Sequence, residues 1–109
     1  MSQTDFSFEF MSEIAQPDER LRMEAEERLR ALREGHTDIV GASVALEELT
    51  GSETPHRYQA RVVLYMRPKN MATVEKAPDP MTALQDAMDT VERQVREYRE
   101  KLRERWKQP

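Results

Sequence analysis

The sequence predicts an α+β fold of order β-α-β-β-β-α, a four-stranded mixed sheet with two helices packed on one face. Three observations lead there. Met81, Leu84, Met88, Val91, Val95, Tyr98 and Leu102 recur at steps of three and four, which makes one stripe of a long helix in need of a cover. Phe6 to Phe10 and Tyr58 to Met66 alternate with the period-two pattern of strands that bury one face. A helical segment separates the first two strands, as a right-handed parallel crossover requires, whereas the later strands are joined by connections short enough for antiparallel pairing.

Phe6, Phe8 and Phe10 alternate with Ser7, Glu9 and Met11, so the phenylalanines belong to the core side of the first strand. Pro17, Asp18 and Glu19 open the first helix, their acids suiting the positive end of its dipole. Leu21, Ala25, Leu29 and Leu32 face inward, and Gly35 supplies the stop. Ile39 to Leu46 reads as an inner strand with Val40, Ala42, Val44 and Leu46 on one side. Thr50 to Pro55 is a loop by composition. In the third strand Tyr58, Ala60, Val62, Leu64 and Met66 form the apolar face. Arg67-Pro68-Lys69-Asn70 is a tight polar reversal, and Met71 to Lys76 a short last strand. Asp79 is the N-cap and Pro80 the first residue of the final helix, which runs to Lys107. Every amphipathic stripe needs one common cover, so Phe8, Leu29, Val44, Val62, Leu84, Val91 and Val95 are expected between the layers.

A chain of 109 residues makes one domain, residues 1–109, with a modest core. Hydrophobic residues are 38% and charged residues 35%, with a mean hydropathy of -0.87, so a soluble, ordered chain is expected. Without cysteine there are no disulfides, thiolate ligands or cysteine nucleophile. The longest apolar run, Ile39 to Leu46, is too short to span a bilayer, and Met1 to Met11 holds neither Lys nor Arg nor an apolar block, against a signal peptide. The expected compartment is the cytoplasm.

Enzyme chemistry lacks its parts. His36 sits by the helix stop and His56 beside a proline loop, and no Gly-rich phosphate loop, H-E-x-x-H or Gly-x-Ser-x-Gly occurs. Acidic pairs such as Glu26-Glu27 and Glu47-Glu48 diverge on a helix or strand. No catalytic residue, metal, cofactor or small-molecule substrate is expected.

Charge carries more information. The net charge is -4, yet residues 1–54 hold 13 acids against 5 arginines, whereas residues 55–109 hold 12 Lys and Arg against 8 acids. Arg93, Arg96, Arg99, Lys101, Arg103, Arg105 and Lys107 outnumber Glu92, Glu97, Glu100 and Glu104 at the end of the last helix. Both readings of these cations fit. Glu92 with Arg96 and Glu97 with Lys101 are helix-stabilising i,i+4 pairs, and arginine also grips phosphate bidentately.

The segment Glu92-Arg93-Gln94-Val95-Arg96-Glu97-Tyr98-Arg99-Glu100-Lys101, led by Asp79, Met81, Ala83 and Asp89, resembles the end of the ribosome hibernation promoting factor family, also called ribosome-associated inhibitors or sigma-54 modulation proteins. E-R-Q-L-R-K-Y-K-E-K is typical there, and Arg28-Leu29-Arg30-Ala31-Leu32-Arg33-Glu34 resembles the family's K-L-x-K-L-E-K in the first helix. The resemblance implies a translation inhibitor acting in the stress response, bound in the cleft between head and body of the small ribosomal subunit. Basic side chains on both helices would touch ribosomal RNA phosphates. RNA-binding residues carried over on matching positions are Arg28, Arg93, Arg96, Arg99, Lys101 and Arg103. Ala31, Glu34, Thr90 and Glu97 stand where the family usually has lysines, and Arg30 and Arg33, one position from the first two, point about 100° away. With no room for the C-terminal dimerisation domain of long members, the chain resembles the short single-domain form.

The competing expectation is a protein-interaction module on the same fold, using Val63, Tyr65 and the edge strands for homodimerisation or strand addition. A double-stranded RNA-binding domain shares the β-β-β-α order, but its lysine-rich helix start is missing. Trp106 continues the apolar stripe and is expected to pack at the helix end.

Overall fold

The computed structural model describes residues 6–14, 18–49, 57–67 and 69–107, with side chains described as far as residue 104. The order is β1 (Ser7–Glu13), α1 (Glu19–Gly35), β2 (Ile39–Glu48), β3 (Tyr58–Met66), β4 (Met71–Ala77) and α2 (Pro80–Lys107). The sheet runs β1-β2-β3-β4, with β1 parallel to β2 and the later pairs antiparallel, which is the expected mixed topology. Pro17, the loop from Thr50 to Pro55, Pro68 within the reversal and the Trp106 side chain lie outside the described residues.

Both helices cover one face. Leu21, Ala25 and Leu29 of α1 and Ala83, Leu84, Ala87, Met88, Val91 and Val95 of α2 bury against Ala42, Val44, Leu46, Ala60, Val62, Leu64 and Met66 of the central strands. Ala83 and Ala87 widen the expected stripe, because their small side chains let α2 lie close over β3 and β4. Both helix starts are chemically marked. The Asp18 carboxylate accepts from the Arg20 backbone N–H at 3.0 Å, and Asp79 accepts from the Thr82 N–H at 3.0 Å and the Thr82 hydroxyl at 2.8 Å.

The sequence reading needs two corrections. Val40 does not share the core face of β2. It is 53% exposed and Ile39 is fully buried instead, because the register slips between Ile39 and Gly41 and a one-residue slip reverses every side chain before it. Phe8 is only half-buried, and so are Phe6 and Phe10, because β1 is an edge strand that the helices cover incompletely. α1 ends at Gly35 as expected, and at the cap His36, with φ -142° and ψ 85°, donates its N–H to the Arg33 carbonyl at 3.1 Å. Gly41 has its own constraint, since a Cβ there would meet the Ser7 carbonyl oxygen of β1 at 3.0 Å.

A candidate nucleic-acid interface at one pole

The helices run side by side in the same direction. Arg28 of α1 meets Asp89 and Glu92 of α2, and Asp38, just past the end of α1, meets Arg99 about two to three turns further along α2. The ends of both helices therefore share one pole of the molecule. The start of β1 belongs to it too, since the Phe6 ring lies 5.9 Å from the Arg33 guanidinium. So do the start of β2, where Ile39 pairs with Met66, and the β3–β4 reversal, because Met71 lies beside Tyr98 and Leu102.

This topology sorts the charges. Arg67, Lys69, Arg96, Arg99, Lys101 and Arg103 lie toward the pole where the helices end, with Arg33 there on the β1 side, and stand among Glu34, Asp38, Glu97, Glu100 and Glu104; Arg93 lies one turn back from Arg96. Glu13 faces Glu47 across the β1–β2 ladder at the opposite pole, with Glu48, Asp18 and Asp79 nearby at the far strand and helix ends. The polarity noticed between halves of the sequence is thus a polarity along the helix axes. The sequence reading missed Arg33, Arg67 and Lys69 as members of the basic pole. Their signal was topological, since a reversal joining β3 to β4 must lie where α2 ends if α2 starts beyond the other end of β4.

The candidate residues divide into two groups. Arg93, Arg96, Lys101 and Arg103 are exposed, and among the described residues their one ion pair is a loose 3.8 Å approach of Arg93 to Glu97. Arg28 and Arg99 are half-buried and engaged. Arg28 Nη2 donates to Asp89 Oδ1 at 2.8 Å and to Glu92 Oε1 at 2.9 Å, while its Nε donates to Glu92 Oε2 at 3.3 Å. Burial works against its charge, yet the hydrogen bonds it donates to Asp89 and Glu92, with the attraction of their charges, outweigh burial and hold its pKa above the ordinary value. Arg99 donates to Asp38, and its Nε is shielded from solvent with no partner among the described residues.

The positions that depart from the lysine pattern have found other partners or none. Thr90 donates its hydroxyl to Glu75 at 3.0 Å, tying α2 to β4, whereas Ala31 and Glu34 are exposed. Arg30 donates to Glu26 at 2.9 Å and lies 5.4 Å over Phe6, on the β1 side of α1 and away from α2. The His36 imidazole is held below its ordinary pKa by burial and by the nearby Arg99, with Asp38 opposing them, so it adds no charge to the pole at neutral pH. Among the described residues no cluster of three or more His, Cys, Asp or Glu could hold a metal ion, and no helix is long and apolar enough to cross a membrane.

The other face of the sheet is open. Met11 is 57% exposed, Val74 45% and Tyr65 40%, with Val63 half-buried beside them. Arg61 and Glu47 punctuate this surface, and Gln59 donates to Glu47 at 3.1 Å.

Residues 12–103 match the family described as sigma 54 modulation protein / S30EA ribosomal protein. No curated protein sequence matches the chain. Among solved structures, the chain is similar to the N-terminal domain of Protein Y from Thermus thermophilus, with a TM-score of 0.67 at 20% identity, over 83% of this chain and 94% of that one. It is also similar to a ribosomal subunit interface protein from Coxiella burnetii, with a TM-score of 0.70 at 11% identity, over 86% of this chain and 98% of that one. At these identities the two structures speak for the fold.

Proposed function

Because this chain belongs to the sigma 54 modulation protein / S30EA ribosomal protein family, we propose that it is a ribosome hibernation factor that binds the small ribosomal subunit and holds it out of translation. The observation that carries the reading is the basic pole, where exposed cations from α2 meet those of the β3–β4 reversal. A single domain of this kind would act in the cytoplasm, where ribosomes work. Ribosomal RNA presents phosphates at spacings set by its folded shape, so a rigid patch of arginines recognises it through charge and geometry. Arg93, Arg96, Lys101 and Arg103 supply the phosphate contacts. Arg28 and Arg99 enter with part of their hydrogen-bonding capacity already spent on carboxylates, and contribute field and positioning. The similarity to a ribosomal subunit interface protein agrees with a ribosomal partner.

The open apolar face of the sheet favours a second reading, a protein-interaction module or homodimer through Met11, Val63, Tyr65 and Val74. Cosedimentation with purified small subunits across a salt series separates the two. Phosphate contacts give a log-log salt slope of roughly 0.7 to 0.9 for each phosphate neutralised, so binding falls by orders of magnitude between low and moderate salt. An apolar interface loses far less. Absence of pelleting at every salt concentration, alongside a basic family member that does pellet, would remove the ribosomal reading.

A further inference from the structure

A hollow opens at the basic pole between the end of α2 and the start of β4. Its apolar wall is Met71, Tyr98 and Leu102, all half-buried, and Lys69 and Lys101 stand exposed on the rim. Gln94 lines it as well, and the oxygen of its side-chain amide is shielded from solvent without a hydrogen-bond partner among the described residues. Glu97 also reaches the rim, and its carboxylate approaches Arg93 at 3.8 Å.

We propose that this hollow takes one unstacked nucleotide of single-stranded RNA, with the base against Tyr98 and its flanking phosphates on Lys69 and Lys101. The inference rests on the ribosomal reading above and names a subsite of it. Three features of the hollow match a nucleotide together. A base presents a flat π-face that stacks on a tyrosine ring. Its edge presents amino or imino N–H donors, which the unpaired Gln94 oxygen accepts once the side-chain amide turns into the hollow, and a buried acceptor left unmet is unusual in a folded protein. Its phosphates complement two lysines whose ammonium groups have no ion-pair partner among the described residues. An apolar side chain from a protein partner would fill the wall and leave both the amide oxygen and the lysines unanswered. The contribution differs in kind from that of Arg93 and Arg96, which hold phosphates without reading a base.

The test titrates ¹⁵N-labelled protein with a single-stranded RNA hexamer and measures the hexamer's affinity by fluorescence anisotropy. The expected result is amide shifts at Met71, Gln94, Tyr98 and Leu102, and a loss of roughly 5- to 150-fold in affinity for Tyr98→Leu, the range that base–aromatic stacking supplies. Lys101→Glu, at an exposed position that cannot disturb the core, is expected to weaken binding as well, and Gln94→Met to weaken it without changing the salt slope. Shifts confined to Arg93, Arg96 and Arg103, with Tyr98→Leu binding like wild type, overturn the proposal. Cosedimentation in parallel separates the two failures. If wild type and Tyr98→Leu pellet equally with small subunits, the subsite falls and the ribosomal reading stands. If the hexamer seats against Tyr98 but wild type never pellets, the nucleotide subsite stands and the ribosomal reading falls.

Discussion

The Arg28 guanidinium of α1 lies between Asp89 and Glu92 of α2, 2.8 Å from one carboxylate and 2.9 Å from the other, and so clamps two helices that share no covalent connection shorter than three strands. Removing it leaves two carboxylates side by side on one helix. Arg28→Gln is therefore expected to destabilise the domain by about 1 kcal/mol, a value discounted because the group is partly exposed. For a domain of this size that corresponds to a fall of roughly 4 to 8 °C in Tm, read by calorimetry. The double variant Arg28→Gln with Glu92→Gln should recover part of the loss. A Tm unchanged by Arg28→Gln would show that the clamp adds nothing to stability.

Leu84 is fully buried where α2 crosses the sheet, and Leu84→Ala is expected to cost about 2 to 5 kcal/mol, a transfer loss plus the cavity left behind. Val74, nearly half exposed on the outer face of the edge strand, is the comparison: Val74→Ala should cost no more than about 0.5 kcal/mol. Chemical denaturation of the two variants checks both, and similar losses would contradict the assignment of faces.

The pH dependence has two windows with the same sign. Burial and Arg99 depress the His36 pKa below 6.5, so the unfolded chain takes up a proton first as the pH falls. Stability from this source is fully present above the unfolded value and declines below it until the folded imidazole also protonates. The Asp79 pKa is depressed below 3.8, first by the Thr82 backbone hydrogen bond and then by the Thr82 hydroxyl. Asp18 is depressed by the Arg20 side chain and backbone, and what each contributes is lost as the pH falls through its folded value. Melting profiles should therefore show a gentle decline below neutrality and a second decline in the carboxylate range. His36→Gln removes the first and leaves the second. Asp79→Ala lowers stability by about 1 kcal/mol at neutral pH and flattens the second.

Local chemistry made most of the fold legible. The Asp79-Pro80 start, the seven-residue stripe of α2 and the alternation of Tyr58 to Met66 each name an element and its buried face without reference to anything distant. The slip that exposes Val40 was not legible, because an apolar run from Ile39 to Leu46 satisfies either register until β3 pairs with it. For the site, position on α2 was readable and availability was not. Arg28 and Arg99 look like the other arginines in sequence, and only a partner more than sixty positions away, Glu92 or Asp38, distinguishes them from Arg93 and Arg96. Lys69 was read as part of a turn, and the return of α2 alongside β4 is what brings it to the basic pole.

The double change Arg93→Glu and Arg96→Glu tests the basic pole directly. Both side chains are exposed and off the buried stripe of Leu84, Met88, Val91 and Val95, so the domain should fold with its Tm within a few degrees of wild type. Cosedimentation with small subunits should be abolished at moderate salt, and the residual binding at low salt should show a log-log slope reduced by roughly 1.4 to 1.8, the share of two phosphates. Arg57→Glu is the control for net charge. Arg57 is exposed and adjoins the start of β3, where Tyr58 pairs with Ala77, at the end of the sheet from which α2 departs. If binding is carried by a located patch, this variant should pellet like wild type apart from a small, salt-suppressed change. If Arg57→Glu is as harmful as the double reversal, the interaction follows net charge and the basic pole is not its site. A double reversal that pellets normally moves the contact surface to the open face of the sheet, around Tyr65 and Val63.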